Sequence, residues 1–249
     1  MLRGVSVGQG AEQAPGSGML PLRELLKPEE RFVALLGSGG KTALMRALAR
    51  QMAGWGERVL LAASEGSPLP GRNVFLTARG GRPPAYTMLT LARDAHPETG
   101  LAQALDPDEI PDVAGRFGAH RVFVELGASG GRPLPSGPFA PAPEWAGVVV
   151  AVLGLDALGM PLDEASADPL ALGLSAGLSP GNAVDARTLE AVAAALLAGA
   201  PPGARRVVFL NKACVHALPG SALAAAPAGD VEFLAGSALR GWFLNRGGV

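Results

Sequence analysis

The residues with the most chemical promise are Gly37, Ser38, Gly39, Gly40, Lys41 and Thr42, which run consecutively after the apolar stretch Phe32-Val33-Ala34-Leu35-Leu36. Small residues at the end of a strand leave successive backbone N–H groups free to hold an anion, helped by the positive end of a following helix. A lysine placed there reaches terminal phosphates, and a hydroxyl after it suits Mg²⁺. Lysine is rare in this chain: Lys27, Lys41 and Lys212 are the full set. Arginine carries the positive charge elsewhere, so a lysine marks a place where a planar guanidinium would not fit. Gly37, Ser38, Gly39, Gly40, Lys41, Thr42 and Ala43 are therefore expected to bind the phosphates of a nucleotide, with Lys41 also catalytic. The usual spacing Gly-x-x-x-x-Gly-Lys-Ser/Thr asks for glycine at 35, where this chain has Leu35. The cradle is expected to start at Gly37 and to be shorter.

Two further places carry candidate chemistry. Glu125 ends the apolar run Arg121-Val122-Phe123-Val124 and is expected near the phosphate loop, where a carboxylate contacts Mg²⁺ or orients water. Thr42 and Glu125 are thus the expected metal contacts. Asn211-Lys212-Ala213-Cys214 follows Val207-Val208-Phe209-Leu210. In guanine-specific nucleotide-binding proteins Asn-Lys-x-Asp takes this place. Asn211 and Lys212 are expected to face the nucleotide, but a thiol at 214 accepts hydrogen bonds weakly, so guanine selectivity should be weak or absent. His96, His120 and His216 have no ligand-like neighbours, and Ser129 has no recognisable triad partners. Trp55, Trp145 and Trp242 are isolated and read as packing residues.

Elements must position these groups. The chain has 249 residues, 48% of them hydrophobic, enough for one large α/β core. Residues 1–20 show no apolar period and read as a mobile leader; 21–249 read as a single domain. Leu22, Leu25 and Leu26 suggest a short helix ended by Pro28. Thr42–Ala53 has Leu44, Leu48 and Met52 on one helical face. Arg58–Ala63 reads as a second strand, parallel to the first through a right-handed crossover. Weak helices are expected near Thr87–Arg93 and Pro107–Phe117. Val148–Leu153 reads as the central strand. Residues 154–184 form a long excursion, Asp185 caps a helix to Leu197, and Arg206–Leu210 is the last clear core strand. From Val231 the tail adds one more strand. This pattern predicts a P-loop NTPase-like α/β fold: a mostly parallel sheet with helices on both faces.

Net charge is -1 without a basic run, which argues against nucleic acid as a partner. One cysteine excludes an internal disulfide framework and a Cys-rich metal site. No apolar run is long enough for a membrane span, so a soluble cytoplasmic protein is expected.

Together these segments resemble the selenium-dependent hydroxylase accessory proteins, the YqeC-like family. The resemblance covers Pro21 to Ala213. It rests on Gly37–Thr42, on Glu125 with Gly131-Arg132-Pro133-Leu134, and on Leu210-Asn211-Lys212. Most specific is Gly154-Leu155-Asp156-Ala157-Leu158-Gly159-Met160-Pro161-Leu162-Asp163-Glu164. The family's own loop is similar to this short Gly-x-Gly-Gly-Lys-Thr form, which accounts for Leu35. The resemblance implies a P-loop accessory protein in maturation of a selenium-dependent molybdenum hydroxylase. Its ligand would be ATP or GTP with Mg²⁺, and its partner the molybdoenzyme or its maturation factors. Three positions depart from the family pattern. Ala62-Ala63-Ser64-Glu65 replaces a Thr-rich strand end, Glu125-Leu126-Gly127-Ala128 lacks an aspartate, and Cys214 replaces another. The alternative is a degenerate scaffold acting by partner contact, and between the two stands a weak NTPase. No acceptor-site pattern supports a small-molecule kinase.

Overall fold

The computed structural model describes residues 18–127, 131–137, 139–179, 181–216 and 230–244. Ser129, and the expected leader up to Ser17, lie outside them. The first half contributes β1 (Met19–Pro21), β2 (Phe32–Gly37), α1 (Lys41–Gly54), β3 (Val59–Ala62), β4 (Val74–Leu76), β5 (Met88–Ala92), β6 (Asp94–Ala95) and β7 (Ala102–Gln103). There follow α2 (Ile110–Arg116), β8 (Arg121–Glu125), β9 (Val148–Gly154), α3 (Leu162–Ala165) and α4 (Pro169–Ala176). The last are α5 (Ala186–Leu197), β10 (Arg205–Asn211), β11 (Val231–Ser237) and β12 (Trp242–Leu244).

Ten strands form one sheet in the order β1-β12-β11-β10-β9-β2-β8-β3-β5-β4. Every pairing from β11 to β4 is parallel; at one edge β12 alone is reversed, pairing antiparallel with both β11 and β1. The protein is thus α/β with a large, mostly parallel sheet. β2 and β3 run parallel as expected but are not neighbours, because β8 pairs with both. Met19 and Leu20, expected in the leader, pair with β12.

Helices cover both faces because the central strands are apolar on both. Val33 and Leu35 of β2, with Val148, Val150 and Val152 of β9, pack beneath Leu44, Leu48 and Met52 of α1. The alternate residues Ala34, Leu36, Val149 and Ala151 meet Leu189, Val192 and Leu196 of α5. On that same face Leu60, Val122 and Val124 meet Ile110 and Val113 of α2. Each fully buried Leu or Val contributes roughly 1.5–3 kcal/mol relative to exposure. Leu35 has no exposure and pairs with Glu125 and Val150, so it is a core strand residue and the loop begins after it.

Asp185 caps α5 as expected, accepting from Thr188 N and Thr188 Oγ1, each at 2.8 Å. The helix expected near Thr87–Arg93 is instead strand β5. Leu89 and Leu91 are buried while Met88 and Thr90, the residues alternating with them, are half-buried, a period of two that β3 and β4 complete as neighbours. Pro107–Phe117 forms a 3₁₀ turn followed by α2. The expected helix at Leu22 is a 3₁₀ turn, Leu22–Leu25. No helix among the described residues is long and apolar enough to cross a membrane.

Ion pairs hold the amino edge of the sheet. Arg121, first residue of β8, donates to Glu57 at 2.7 Å and to the Lys27 carbonyl at 2.7 Å. Arg205, first residue of β10, pairs with Glu30 at 2.6 Å and with Glu232 at 2.5 Å.

Candidate functional site

The carboxyl edge is built differently. Four neighbouring strands end there in Gly37, Glu125, Gly154 and Asn211. β2 lies between β8 and β9, so chain connections diverge at its end, the place where open α/β sheets hold ligands.

The loop after β2 turns on glycines. Gly37, Gly39 and Gly40 have φ of 91°, 75° and 116°, conformations that side chains resist. Gly39 is also pressed against β9: a Cβ there would sit 2.2 Å from Gly154 N. Ser38 N donates to Val152 O at 2.9 Å and seats the turn on the same strand. Among the described residues, the N–H groups of Gly39, Gly40, Lys41, Thr42 and Ala43 donate to no backbone carbonyl. They form a row of free donors at the start of a 14-residue helix, the electrostatic form of an anion site.

Lys41 is 1% exposed, an unusual burial for lysine. Its Nζ donates to the carbonyls of Gly37 at 2.7 Å and Gly127 at 2.8 Å. Glu125 Oε1 lies 3.9 Å away. Burial holds the ammonium below its usual pKa, and the Glu125 charge counters part of that effect. Thr42 Oγ1 donates to Glu125 Oε2 at 2.7 Å. The sequence-predicted Lys41, Thr42 and Glu125 are therefore brought together. Hydroxyl and carboxylate oxygens in contact suit a hard cation that keeps most of its own water, so this pair fits Mg²⁺. Among the described residues no cluster of three His, Cys, Asp or Glu side chains forms a metal cage.

Asn211 sits beside the glycine turn. It is 4% exposed, donates from Nδ2 to Gly39 O at 2.8 Å, and accepts from Ala238 N at 3.0 Å. It ties the glycine turn to the chain beyond β11. Lys212 has a left-handed backbone, φ 72°, and its ammonium pairs with Asp156. The other Asp156 oxygen, Oδ1, is buried without a partner. Cys214 accepts from Ser237 Oγ at 3.1 Å.

Besides the Asn211–Gly39 contact, sequence reasoning left three contacts unseen. Gly154 is the close-approach partner of Gly39, and a glycine closing the valine-rich β9 is the signal for it. Asp156 is the partner of Lys212, and no spacing rule links positions in two separate loops. Ser38 Oγ donates to the Arg132 carbonyl, which brings Arg132 to the glycine turn.

The family model for the YqeC protein matches residues 33–169, more than half of the chain. The chain belongs to the YqeC family. No curated protein and no solved structure matches it. The YqeC match contains the glycine turn, Lys41, Thr42, Glu125, Arg132 and Asp156, and it ends before Asn211. The bracing residue that touches Gly39 thus comes from outside the YqeC stretch.

Proposed function

We propose that this YqeC-family chain is a P-loop protein that binds a nucleotide and Mg²⁺ at the carboxyl edge of its sheet. It would serve as an accessory factor in maturation of a selenium-dependent molybdenum hydroxylase. One observation carries the binding reading: Lys41, Thr42 and Glu125 converge beside a row of unpaired N–H groups. The amides would hold phosphate oxygens, and Lys41 would exchange a carbonyl for the terminal phosphates. Thr42 and Glu125 would hold Mg²⁺, which neutralises phosphate charge when bound. Family membership supports the accessory role. With Cys214 where a guanine-reading carboxylate would stand, ATP and GTP are expected to bind comparably.

Isothermal titration with Mg-ATP and Mg-GTP tests this, with Lys41→Ala as control. Heat should appear in the wild type and vanish in the variant. Silence with both nucleotides, or equal heat from the variant, defeats the reading.

A second reading is a degenerate scaffold that acts through partner contact. What favours it is that Lys41 is already satisfied by two carbonyls and that Cys214 offers no carboxylate. Nucleotide turnover by the purified protein, lost in Glu125→Gln, would reject it.

A further inference from the structure

The chain leaving β8 touches the glycine turn twice. Lys41 Nζ donates to Gly127 O at 2.8 Å, and Ser38 Oγ donates to the Arg132 carbonyl. The second contact puts the Arg132 backbone against the phosphate loop. Its side chain is exposed, and Nη1 donates to the Glu164 carbonyl at 2.6 Å. Among the described residues its remaining N–H groups have no partner, and no carboxylate pairs with it.

Charge balance makes this arginine distinctive. Lys41 faces Glu125 at 3.9 Å, and Lys212 is paired with Asp156. Arg121 and Arg205 are committed to carboxylates at the opposite edge of the sheet. A terminal phosphoryl group entering beside Lys41 adds negative charge that Lys41, already shared with Glu125, does not fully offset. A guanidinium presents parallel donors that match phosphate oxygens, and bonds between charged partners are the stronger class.

We propose that Arg132 contacts the terminal phosphoryl group and makes the ligand class a nucleoside triphosphate rather than a diphosphate. This rests on the phosphate-site reading above. Only the side chain has to turn, exchanging one neutral carbonyl for phosphate oxygens. The backbone is pinned nearby, since Leu134 N donates to Ala165 O at 2.9 Å. A side chain of this length, anchored beside Ser38, is long enough to reach the loop.

The test is isothermal titration of Mg-ADP and the Mg-bound β,γ-imido analogue of ATP into wild type, Arg132→Ala and Arg132→Lys. The wild type should prefer the triphosphate. Arg132→Ala should weaken triphosphate binding by about tenfold to a hundredfold, the range of a charged hydrogen bond, with the diphosphate unchanged. Arg132→Lys should fall between, because it keeps the charge and loses the fork. The diphosphate arm reports on folding. An unchanged triphosphate-to-diphosphate ratio in Arg132→Ala overturns the inference while leaving the phosphate site standing. Equal loss of both ligands marks a structural arginine and overturns it as well. If neither ligand binds the wild type, both readings fall.

Discussion

Asn211→Ala should loosen the glycine turn without unfolding the protein. The side chain makes two buried bonds, donating to Gly39 O at 2.8 Å and accepting from Ala238 N at 3.0 Å. Alanine abandons both partners in a place water does not easily reach. Each buried group left unsatisfied costs about 1–3 kcal/mol, so the pair should cost about 2–6 kcal/mol. Against a total stability of roughly 5–15 kcal/mol, a loss near the middle of the expected range leaves the variant folded. In urea, with a slope near 3 kcal/mol per M, the midpoint should fall by about 0.7–2 M at constant slope. Amide exchange should locate the damage: the bonded amides of Ser38, Leu44 and Ala238 should exchange faster, while Val149 to Val152 in β9 should not. Asn211→Asp should be worse than alanine, because it sets a buried carboxylate against the Gly39 carbonyl. A loss below about 0.5 kcal/mol, or unaltered exchange at Ser38 and Leu44, would refute the idea that Asn211 braces the loop.

Lys41 gives a pH signature. Its pKa lies below 10.5 because burial penalises the charge. Below that lowered value folded and unfolded chains both hold the proton, and the buried charge is a cost. Between it and 10.5 the unfolded chain binds more protons, so stability should rise with pH and level off above 10.5. Urea titrations across alkaline pH should show this rise in the wild type and not in Lys41→Met; the same slope in both removes Lys41 as its source. Two glycine substitutions should have opposite signs by thermal melting. Gly39→Ala meets Gly154 N at 2.2 Å with φ 75° and should lose at least about 2 kcal/mol. Gly54→Ala at the end of α1 meets nothing within 4 Å and should gain about 0.5 kcal/mol. Equal melting shifts would show that the glycine turn is not held against β9.

Local signals made much of this molecule legible. Phe32–Leu36 is apolar on both faces, the glycines follow at once, and Leu44, Leu48 and Met52 recur at helical spacing. Nothing distant is needed to read a strand, a turn and a helix there. Glu125 was legible for the same reason, as a carboxylate closing an apolar strand. Met88–Ala92 was misread because five residues hold too few repeats to separate a strand from a helix. Its identity is settled by β3 and β4 on either side. The place of β8 between β2 and β3 is likewise a long-range outcome. So are the site contacts the sequence did not reveal. Asn211 meets Gly39 across 172 positions and Ser38 meets Arg132 across 94, and no residue type at either end announces its mate.

The buried ammonium of Lys41 has one more consequence. Gly37 O and Gly127 O already occupy it, so on the proposed reading the protein would carry a competitor for its own ligand. A phosphate would gain only the difference between its grip on Lys41 and that of two carbonyls. Affinity at such a site would be set as much by how firmly the chain holds itself as by how well it holds the nucleotide. A substitution that does nothing but shift the Gly127 carbonyl away from Lys41 would tighten binding without adding a single contact to the ligand.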